Sequence, residues 1–437
     1  MPRIIDLFAG LGGIRLGFQQ AMDELGLTTD CVFSSEIKPY AIEAYQGFYG
    51  QDEEIFGDIT TADVDTDIPD FDFLLAGFPC QPFSSAGNRQ GFADTRGTMF
   101  FEIERILKRK IDSGHPAKGF LLENVEGLVN HDDGETLKTI ISHLEALGYA
   151  VNWKLLDSQY FGLPQSRKRV YIVGTLDEKI SLSDFDVRQC DLGTVLEHGL
   201  PTVDSEFTQH LFANYTPEQV TGKSIKDKRG GDNNIHSWDI EIKGPTTQQE
   251  RGFLNLLLKE RRKKHWAEKI GIKWMDGMPL TEAQIRTFYD APNLHEMLLS
   301  LTERGYLAYE HPKQQVKNEN GTTTRAADES LEKGYNIVAG KLSFEFSKIL
   351  DPEQLAPTLV AMDVAKLGVV DNGGLRRLTI RECQRLCGYP DDYRLDMIDE
   401  EEAFDLLGNT VCVPVIRDIA LRLGDYFIKT QGGGQGQ

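Results

Sequence analysis

Long hydrophobic runs and cysteines are both scarce in this 437-residue chain. No uninterrupted apolar stretch approaches the roughly 20 residues that span a bilayer, so we expect no membrane segment. The N-terminal MPRIIDLFAG lacks the apolar region and small-residue cleavage site of a secretory signal, so we expect the protein to stay in the cytoplasm. The six cysteines form no CxxC pair of the kind that binds zinc, so we expect no metal and at most one reactive thiol.

Positive charge is also in short supply. The chain has 47 Lys and Arg against 68 Asp and Glu, a formal net charge of −21. Because phosphate binding normally requires a basic surface, this balance argues against nucleic acid unless the positive charge is concentrated locally. The length predicts two or three cooperating domains, and a composition of 40% hydrophobic residues is that of an ordinary globular protein.

Short apolar runs alternate with helical stretches from residue 3 to about 175. This rhythm predicts an α/β fold, with a mostly parallel sheet and helices on both faces. The rhythm breaks after about residue 185, where polar segments with turn signals indicate a second, smaller domain. We expect one helical stretch over 251–271 and an exposed loop or a partly disordered insertion at 313–335. We also expect a flexible tail at 431–437 and a C-terminal helix with an apolar stripe formed by Val411, Val415, Ile419 and Leu423.

The first motif that carries chemistry is the glycine-rich turn DLFAGLGG, which follows the first strand. Glycines there let backbone N–H groups and a helix N-terminus approach a ligand closely, although such a turn can also serve packing alone. Glu36 ends the second strand, where its carboxylate can accept ribose hydroxyls, and Asp58 can bind the exocyclic amine of adenine. These features predict an adenosine-containing cofactor without choosing between NAD and S-adenosylmethionine.

The second motif, GFPCQPFS, places Cys80 directly after the strand FDFLLA. A thiol at the end of a strand can be exposed and its pKa lowered, whereas an isolated cysteine is more often a small buried hydrophobe. The flanking prolines favour the reactive interpretation because they fix the backbone on both sides. The polar, glycine-bearing stretch that follows suits a loop that closes over a substrate.

The third and fourth motifs, ENV and QSRKRVY, supply an acid and two arginines. Glu123 ends a strand at the same predicted rim of the sheet as Cys80, so the two side chains can form a nucleophile and acid pair. Alternation places Gln165, Arg167 and Arg169 on one face of an extended segment. These arginines can hold a polar base edge, or can form a simple ion-pair network.

Taken in order, these blocks resemble the signature motifs of the cytosine-5 DNA methyltransferase family of prokaryotic restriction-modification systems. RRLTIRECQRLCGYPDDY and GNTVCVPVI complete the resemblance, which covers most of residues 3–175 and about 376–425. It implies a Rossmann-like catalytic domain over 1–185, completed by a C-terminal helix at 400–430. The intervening 186–399 are expected to hold a target-recognition domain and hinge.

The resemblance implies that S-adenosyl-L-methionine is the cofactor and that Cys80 adds to carbon 6 of a flipped-out cytosine. Glu123 is expected to act on ring nitrogen 3, Arg169 to grip the base carbonyl, and Arg167 to support the site. The expected cofactor-binding residues are Phe8, Ala9, Gly10, Leu11, Gly12, Gly13, Glu36, Ile37, Asp58, Ile59, Asn409 and Val411. The expected substrate-binding residues are Pro79, Gln81, Ser84, Asn124, Gln165, Lys259, Arg261 and Arg262.

Lys259, Arg261 and Arg262 belong to the most basic stretch of the chain, LKERRKKHWAEK. Such a run is often only a solvated helix face, but it can also contact DNA phosphates. We therefore expect double-stranded DNA as the partner of a monomeric enzyme. The resemblance implies a restriction endonuclease encoded nearby and not in direct contact, but an orphan methyltransferase without such a partner is equally compatible with the sequence. A prokaryotic or phage source and a location at the nucleoid follow from the same resemblance.

Three alternatives remain open at this point. An NAD-dependent oxidoreductase would use the glycine turn and Glu36 but would leave GFPCQPFS, ENV and QxRxR unexplained. A transfer-RNA cytosine-5 methyltransferase would share the catalytic motifs, although the long variable region favours DNA. A non-catalytic DNA-binding relative would be expected to have lost Cys80, Glu123 or an arginine, and all of these are present.

Overall fold

The computed structural model describes residues 1–79, 98–228, 230–273, 277–317, 323–339 and 344–432. The chain divides into two compact units. Unit 1 comprises Met1–Glu197, Pro352–Ala365 and Leu378–Gln437, and unit 2 comprises His198–Asp351 and Lys366–Arg377.

In the described part of unit 1, seven strands form one sheet in the order β3-β2-β1-β4-β5-β7-β6. The strands are β1 (Arg3–Leu7), β2 (Asp30–Ser35), β3 (Ile55–Phe56), β4 (Phe73–Gly77), β5 (Gly119–Val125), β6 (Ala150–Asp157) and β7 (Lys168–Thr175). The first five strands in this order, from β3 to β5 across the sheet, run parallel to one another. Strand β7 pairs antiparallel with both β5 and β6. The predicted mostly parallel α/β sheet is therefore confirmed.

Helices cover both faces of this sheet. They are α1 (Gly13–Glu24), α2 (Pro39–Tyr49), α3 (Thr98–Asp112), α4 (Glu135–Ala146), and, after the second unit, α11 (Ile380–Cys387), α12 (Glu400–Asn409) and α13 (Val413–Gly432). Successive strand residues point to opposite faces, so Leu74 packs in one core with α3 and α4 while Leu75 packs in the other with α1 and α13. Runs such as FLLA are continuously apolar because both faces are buried.

The C-terminal helix α13 packs directly on α1, beside the first motif. A Cβ atom at Gly17 would lie 2.7 Å from Cβ of Ile416 and 2.8 Å from the carbonyl oxygen of Val413, so a glycine is needed for the two helices to approach this closely. Val415, Ile419 and Leu423 are fully buried in this core, which confirms the predicted apolar stripe. The fourth member of that stripe, Val411, precedes the helix.

The division into units differs from the domain boundaries that the sequence suggested. Residues 186–197, 352–365 and 378–399 had been placed in the second domain, but they belong to unit 1. The reason is a set of buried side chains: Gln165 binds the backbone of both Leu359 and Leu386, and Arg167 binds the carbonyl of Leu359. These contacts join segments that lie about two hundred residues apart in the chain.

Unit 2 contains six helices in its described residues, α5 (Glu206–Asn214), α6 (Pro217–Val220), α7 (Gln248–Glu260), α8 (His265–Lys269), α9 (Glu282–Arg286) and α10 (Leu294–Glu303). Its strands are β8 (Ser224–Ile225), β9 (Asn234–Ile235), β10 (Leu307–Glu310), β11 (Lys313–Lys317), β12 (Thr323–Ala327), β13 (Gly334–Ile337), β14 (Lys348–Ile349), β15 (Leu367–Asp371) and β16 (Gly374–Arg377). They form a five-stranded sheet, β16-β15-β14-β8-β9, and two separate pairs, β10-β13 and β11-β12. One core surrounds Trp238 and α7, and a second lies against the five-stranded sheet.

Two local predictions for unit 2 were wrong. The single helical stretch expected over 251–271 breaks between α7 and α8, because Trp266 donates to the carbonyl of Glu260 and the amide of Met278 donates to the carbonyl of Arg261. The loop expected at 313–335 contains the antiparallel pair β11-β12 and the start of β13. Strands β11 and β12 are poor in apolar residues and lie largely exposed, whereas β13 is buried.

Within the described ranges, no helix is long and apolar enough to cross a membrane. In the same residues no group of three or more His, Cys, Asp or Glu side chains is arranged to hold a metal ion.

Candidate active site

The glycine turn occupies the carboxyl end of β1 and leads directly into α1. Phe8, Gly10 and Gly12 all have positive φ angles, of 56°, 53° and 66°. A Cβ atom at Gly12 would lie 2.5 Å from the ring of Tyr49, so this position combines a left-handed backbone with no room for a side chain. The local geometry therefore requires a glycine at position 12 of the motif.

Two tyrosine hydroxyls hold the turn from outside. Tyr49 donates to the carbonyl of Gly12 at 2.7 Å, and Tyr393 donates to the carbonyl of Leu11 at 2.7 Å. Tyr393 also stacks on Phe48 with ring centroids 4.4 Å apart. Neither tyrosine was predicted to have a role, because the contacts join residues distant in the chain.

Glu36 follows β2 and lies against the same turn. Its carboxylate accepts hydrogen bonds from the backbone amides of Gly10, Ile37 and Lys38 at 2.8, 2.8 and 2.9 Å. A carboxylate offers about four acceptor positions, so these three bonds leave capacity for one further donor. Glu36 thus organises the turn as well as facing the cavity described below.

Asp58 follows β3 and is held by Thr60. Its Oδ1 atom accepts from both the backbone amide and the hydroxyl of Thr60, at 3.0 and 2.8 Å. Hydrogen bonds from Thr60 lower the pKa of Asp58, so this exposed carboxylate is a fixed anionic acceptor.

These groups open onto one cavity of about 660 Å³ in unit 1. It is lined by eleven of the twelve predicted cofactor-binding residues, namely Phe8, Ala9, Gly10, Leu11, Gly13, Glu36, Ile37, Asp58, Ile59, Asn409 and Val411. Gly12 is the exception, since its side-chain position faces Tyr49. The side chain of Ile37 is 71% exposed beside Glu36, which provides an apolar surface at this end of the cavity.

The residues present fit an adenosine-containing cofactor. The cavity lies within the range of about 300–1,000 Å³ typical of small-molecule sites. It combines an open glycine turn, two carboxylate acceptors and exposed apolar side chains, which is the donor and acceptor set that a nucleoside requires.

Asn409 lies at the end of α12 and is oriented by Asp405, one helical turn earlier. Its Nδ2 atom donates to the carbonyl of Asp405 at 2.9 Å and to its carboxylate at 3.1 Å. Asp405 is held in turn by Lys38 at 2.8 Å and Tyr40 at 2.7 Å. With its amide nitrogen engaged, Asn409 is left to present its oxygen as an acceptor. The i, i+4 spacing of Asp405 and Asn409 was a signal that could have identified this pair.

A buried polar network lies behind the turn. Burial raises the pKa of Asp6 to about 7, against the opposing effects of Arg15 and a hydrogen bond from Tyr45. Arg15 bonds to the hydroxyl of Tyr45 at 2.9 Å and to the carboxylate of Glu53 at 2.7 Å. Asp6 was recognised only as the first letter of a motif, and its burial depends on tertiary packing.

Glu123 and Arg169 form the acidic and basic part of the same cavity. Glu123 is 8% exposed at the end of β5, and its Oε1 atom lies 3.1 Å from Nε of Arg169 on the neighbouring strand β7. Burial raises the pKa of the Glu123 carboxyl, opposed by the charges of Arg169 and Arg167. The carboxyl is thus suited to holding a proton at a higher pH than an exposed glutamate.

Arg167 also lines the cavity, but its guanidinium is occupied with the backbone. It is 2% exposed and donates to the carbonyls of Leu359, Gly408 and Thr410, at 2.8, 3.1 and 2.5 Å. These bonds hold the segment that carries Asn409 against β7. Arg167 therefore acts as a positioning residue, in keeping with its predicted supporting role.

Gln165 does not reach the cavity, although it was predicted to bind substrate. Its side chain is fully buried, donating to the carbonyl of Leu386 at 2.8 Å and accepting from the amide of Leu359 at 3.0 Å. The predicted alternation fails here because β7 begins only at Lys168. The structure gives Gln165 a scaffold position.

The remaining predicted substrate contacts of unit 1 lie near the end of β4. Asn124 is buried and donates to the carbonyl of Phe78 at 3.2 Å, and both Asn124 and Pro79 line the cavity. A Cβ atom at Gly77 would lie 3.6 Å from the Glu123 carboxylate, so the end of β4 borders the acid directly. Cys80, Gln81 and Ser84 lie outside the described residues.

In unit 2 the predicted basic patch is not one exposed helix face. Arg261 is only 4% exposed and donates to the side-chain oxygen of Asn336 at 2.7 Å. Lys259 is exposed and Arg262 is half-buried. Arg261 is displaced from the surface because α7 ends at Glu260 and the chain turns inward.

Comparison with known proteins agrees with these features. Residues 2–425 match the model of the family described as C-5 cytosine-specific DNA methylase. The chain is 56% identical over 428 residues to the type II methyltransferase M.NlaIV of Neisseria lactamica, covering 96% of this chain and 98% of that protein. It is 42% identical over 442 residues to M.BanI of Aneurinibacillus aneurinilyticus, covering 95% and 94%.

Solved structures share the fold at low sequence identity. The methyltransferase EhMeth of Entamoeba histolytica aligns with a TM-score of 0.54 at 14% identity, covering 98% of this chain and 99% of that one. The Dnmt2 methyltransferase of S. pombe aligns with a TM-score of 0.52 at 17% identity, with the same coverage.

Proposed function

Because the chain belongs to the C-5 cytosine-specific DNA methylase family, we propose that Cys80, Glu123 and Arg169 carry its reaction at the cavity of unit 1. The reaction itself is the transfer of a methyl group to carbon 5 of cytosine in DNA, as in restriction-modification systems. Membership of this family excludes the NAD-dependent oxidoreductase. S-adenosyl-L-methionine, the cofactor of the family, supplies the methyl group.

One observation carries the proposal. A buried carboxyl with a raised pKa, ion-paired with Arg169, opens onto the same cavity as the glycine turn, Glu36 and Asp58. The acid therefore lines the same cavity as the proposed cofactor residues. Pro79, which immediately precedes Cys80 in the sequence, lines that volume as well.

The proposed chemistry starts with the thiolate of Cys80, which adds to carbon 6 of the cytosine. This bond makes carbon 5 nucleophilic, and the Glu123 carboxyl stabilises the adduct by donating a hydrogen bond or proton to ring nitrogen 3. Arg169 holds Glu123 and offers donors to the base carbonyl. Once carbon 5 has taken the methyl group, loss of its proton expels Cys80 and restores the ring. The nucleotide must leave the base stack, since neither carbon can be reached inside a duplex.

We further propose that residues Phe8–Gly13, Glu36, Ile37, Asp58, Ile59, Asn409 and Val411 bind the cofactor. The support is their place around the cavity, together with Gly12, whose missing side chain lets the turn close against Tyr49. Unit 2 is proposed to recognise the target sequence. The enzyme is proposed to act as a monomer in the bacterial cytoplasm, alongside a separately acting endonuclease.

The test uses the full-length protein with labelled S-adenosylmethionine and mixed-sequence duplex DNA, followed by bisulfite mapping of modified cytosines. Cys80→Ser and transfer RNA form the parallel arms. Label at one short DNA motif that disappears with Cys80→Ser is the expected result. Methylation of transfer RNA alone would overturn the substrate assignment, and absence of label on both would favour a binding-only protein. Label that persists in Cys80→Ser would overturn the nucleophile.

A further inference from the structure

A two-stranded ribbon projects from unit 2 with both faces exposed. Strands β11 and β12 pair antiparallel, with Gln315 opposite Arg325 and Val316 opposite Thr324. Residues 313, 315, 316 and 324–327 are exposed and 314 is half-buried, so side chains of both faces meet solvent. An ordinary strand buries at least one face, and an isolated hairpin is only marginally stable in water. Among the ribbon residues whose burial the structure describes, no side chain is buried in a hydrophobic core.

The base of the ribbon is nevertheless held in register. The amide of Asp328 donates to the carbonyl of Pro312 at 2.8 Å, and Gln314 donates to the carboxylate of Asp328 at 2.5 Å. These bonds close the pair at the end joined to unit 2. The ribbon is therefore presented as a defined element.

The strand residues of the ribbon are basic, although the acidic residues Glu310, Asp328 and Glu329 flank them. The ten strand residues, KQQVK and TTRAA, include three basic side chains and no acidic one, in a protein of net charge −21. Lys313 and Arg325 also line a cleft of about 300 Å³ together with Lys228 and Arg261, while Glu310, the cleft's acidic residue, pairs with Lys313 at 3.1 Å. Such local concentration is what an acidic protein needs in order to bind phosphates.

We infer that the β11-β12 ribbon enters the major groove of the substrate duplex and contributes to the choice of target sequence. The major groove, about 12 Å wide, admits a two-stranded β-ribbon, and the charge of the strands suits the phosphates on either side. Arg325 and Gln315 lie directly opposite each other, and their side chains are of the types that bind guanine and adenine edges with paired hydrogen bonds. Lys313, at the base, contacts phosphate. This inference rests on the proposed role of unit 2 in target recognition.

The experiment compares Arg325→Ala, Gln315→Ala and Lys313→Ala with the control Arg286→Ala. Arg286 lies on α9 of the same unit and forms exposed i, i+4 ion pairs with Glu282 and Asp290. Its replacement by alanine removes one positive charge, as Arg325→Ala and Lys313→Ala do. Each protein methylates a random-sequence duplex library, and bisulfite sequencing reports the preferred motif. Duplex affinity is measured separately at several salt concentrations in the presence of S-adenosylhomocysteine, so that it does not depend on turnover.

Arg325→Ala or Gln315→Ala should relax the preference at one base pair by about 10- to 100-fold, the discrimination of one bidentate contact. Lys313→Ala should weaken binding to all sequences alike and reduce the salt dependence by about one phosphate contact. Arg286→Ala should match the wild type. Unchanged thermal unfolding and S-adenosylhomocysteine affinity would show that all variants remain folded.

The inference is overturned if Arg325→Ala and Gln315→Ala leave both motif and duplex affinity within twofold of Arg286→Ala. Such a result with an active wild type leaves the proposed function intact. A wild-type protein that methylates no DNA would instead count against the proposed function, and the binding series would then decide the ribbon's role alone.

Discussion

The cavity of unit 1 and the ribbon of unit 2 use arginine in opposite ways. Arg167 is 2% exposed and its guanidinium binds three backbone carbonyls, whereas Arg325 is exposed on a strand that buries neither face. A reaction centre needs its groups held within fractions of an ångström, and burial with several hydrogen bonds provides this. A surface that reads DNA must exchange its partners on binding, and in the ribbon Lys313 pairs with Glu310 while Gln315 accepts a hydrogen bond from Lys273. Substitutions in the first region should therefore cost rate or stability, and those in the second only recognition.

The largest expected effect is on rate, from Glu123→Gln. Removing a positioned acid should lower the methyl-transfer rate by about 10²- to 10⁴-fold, while the affinity for S-adenosylhomocysteine changes less than about twofold. Single-turnover assays at saturating DNA give the rate, and calorimetry gives the affinity. Arg325→Ala should leave the rate at saturation unchanged. A rate loss in Arg325→Ala comparable to that in Glu123→Gln would remove the distinction between the two regions.

The next effect is on stability, from Arg167→Met. This change leaves three buried carbonyls without their donor, so the free energy of unfolding should fall by about 3–5 kcal/mol. Denaturant unfolding of Arg167→Met beside Arg325→Ala measures the difference directly. Equal midpoints for the two variants would mean that the bonds of Arg167 contribute no net stability.

A smaller, pH-dependent effect is expected from Asp6→Asn. Because the folded-state pKa of Asp6 is raised from 3.8 to about 7, its contribution to stability is fully present below about pH 4 and is lost as the pH rises to 7. Between about pH 4 and pH 7, the free energy of unfolding of the wild type should fall by up to ~4 kcal/mol relative to that of Asp6→Asn. Arg15, Tyr45, Glu36 and Glu53 modulate this titration, so the pH profile of the difference between the two proteins is the quantity to measure. A difference that is constant with pH would show that Asp6 titrates normally.

The smallest effect is expected from Lys259→Ala on α7. The basic run there is split by the end of the helix and by the burial of Arg261, and Lys263 and Lys264 also stay exposed, so the loss of Lys259 alone should change duplex affinity by less than about twofold at physiological salt. Gel-shift titration beside Lys313→Ala tests this. If Lys259→Ala weakens binding more than Lys313→Ala does, the helix and not the ribbon is the main phosphate contact.

The sequence was most informative where function constrains short stretches of chain. The turn DLFAGLGG, Glu36, Asp58 and Glu123 were identified from local patterns, and the structure brings all of them to one cavity. Gln165 was misplaced because extended alternation was assumed before the strand begins. The ribbon was taken for a loop because strand prediction relies on buried apolar alternation, which an exposed ribbon lacks.

The sequence by itself determined the α/β rhythm, the family and the chemical groups available to the site, because these depend on periodicity and on short contiguous motifs. Only the tertiary structure decided that Tyr49 and Tyr393 hold the glycine turn. It also decided that Asp6 and Arg167 are buried. The physical reason is that burial and hydrogen-bond partnership are properties of the surroundings of a side chain, and those surroundings are assembled from segments tens to hundreds of residues apart.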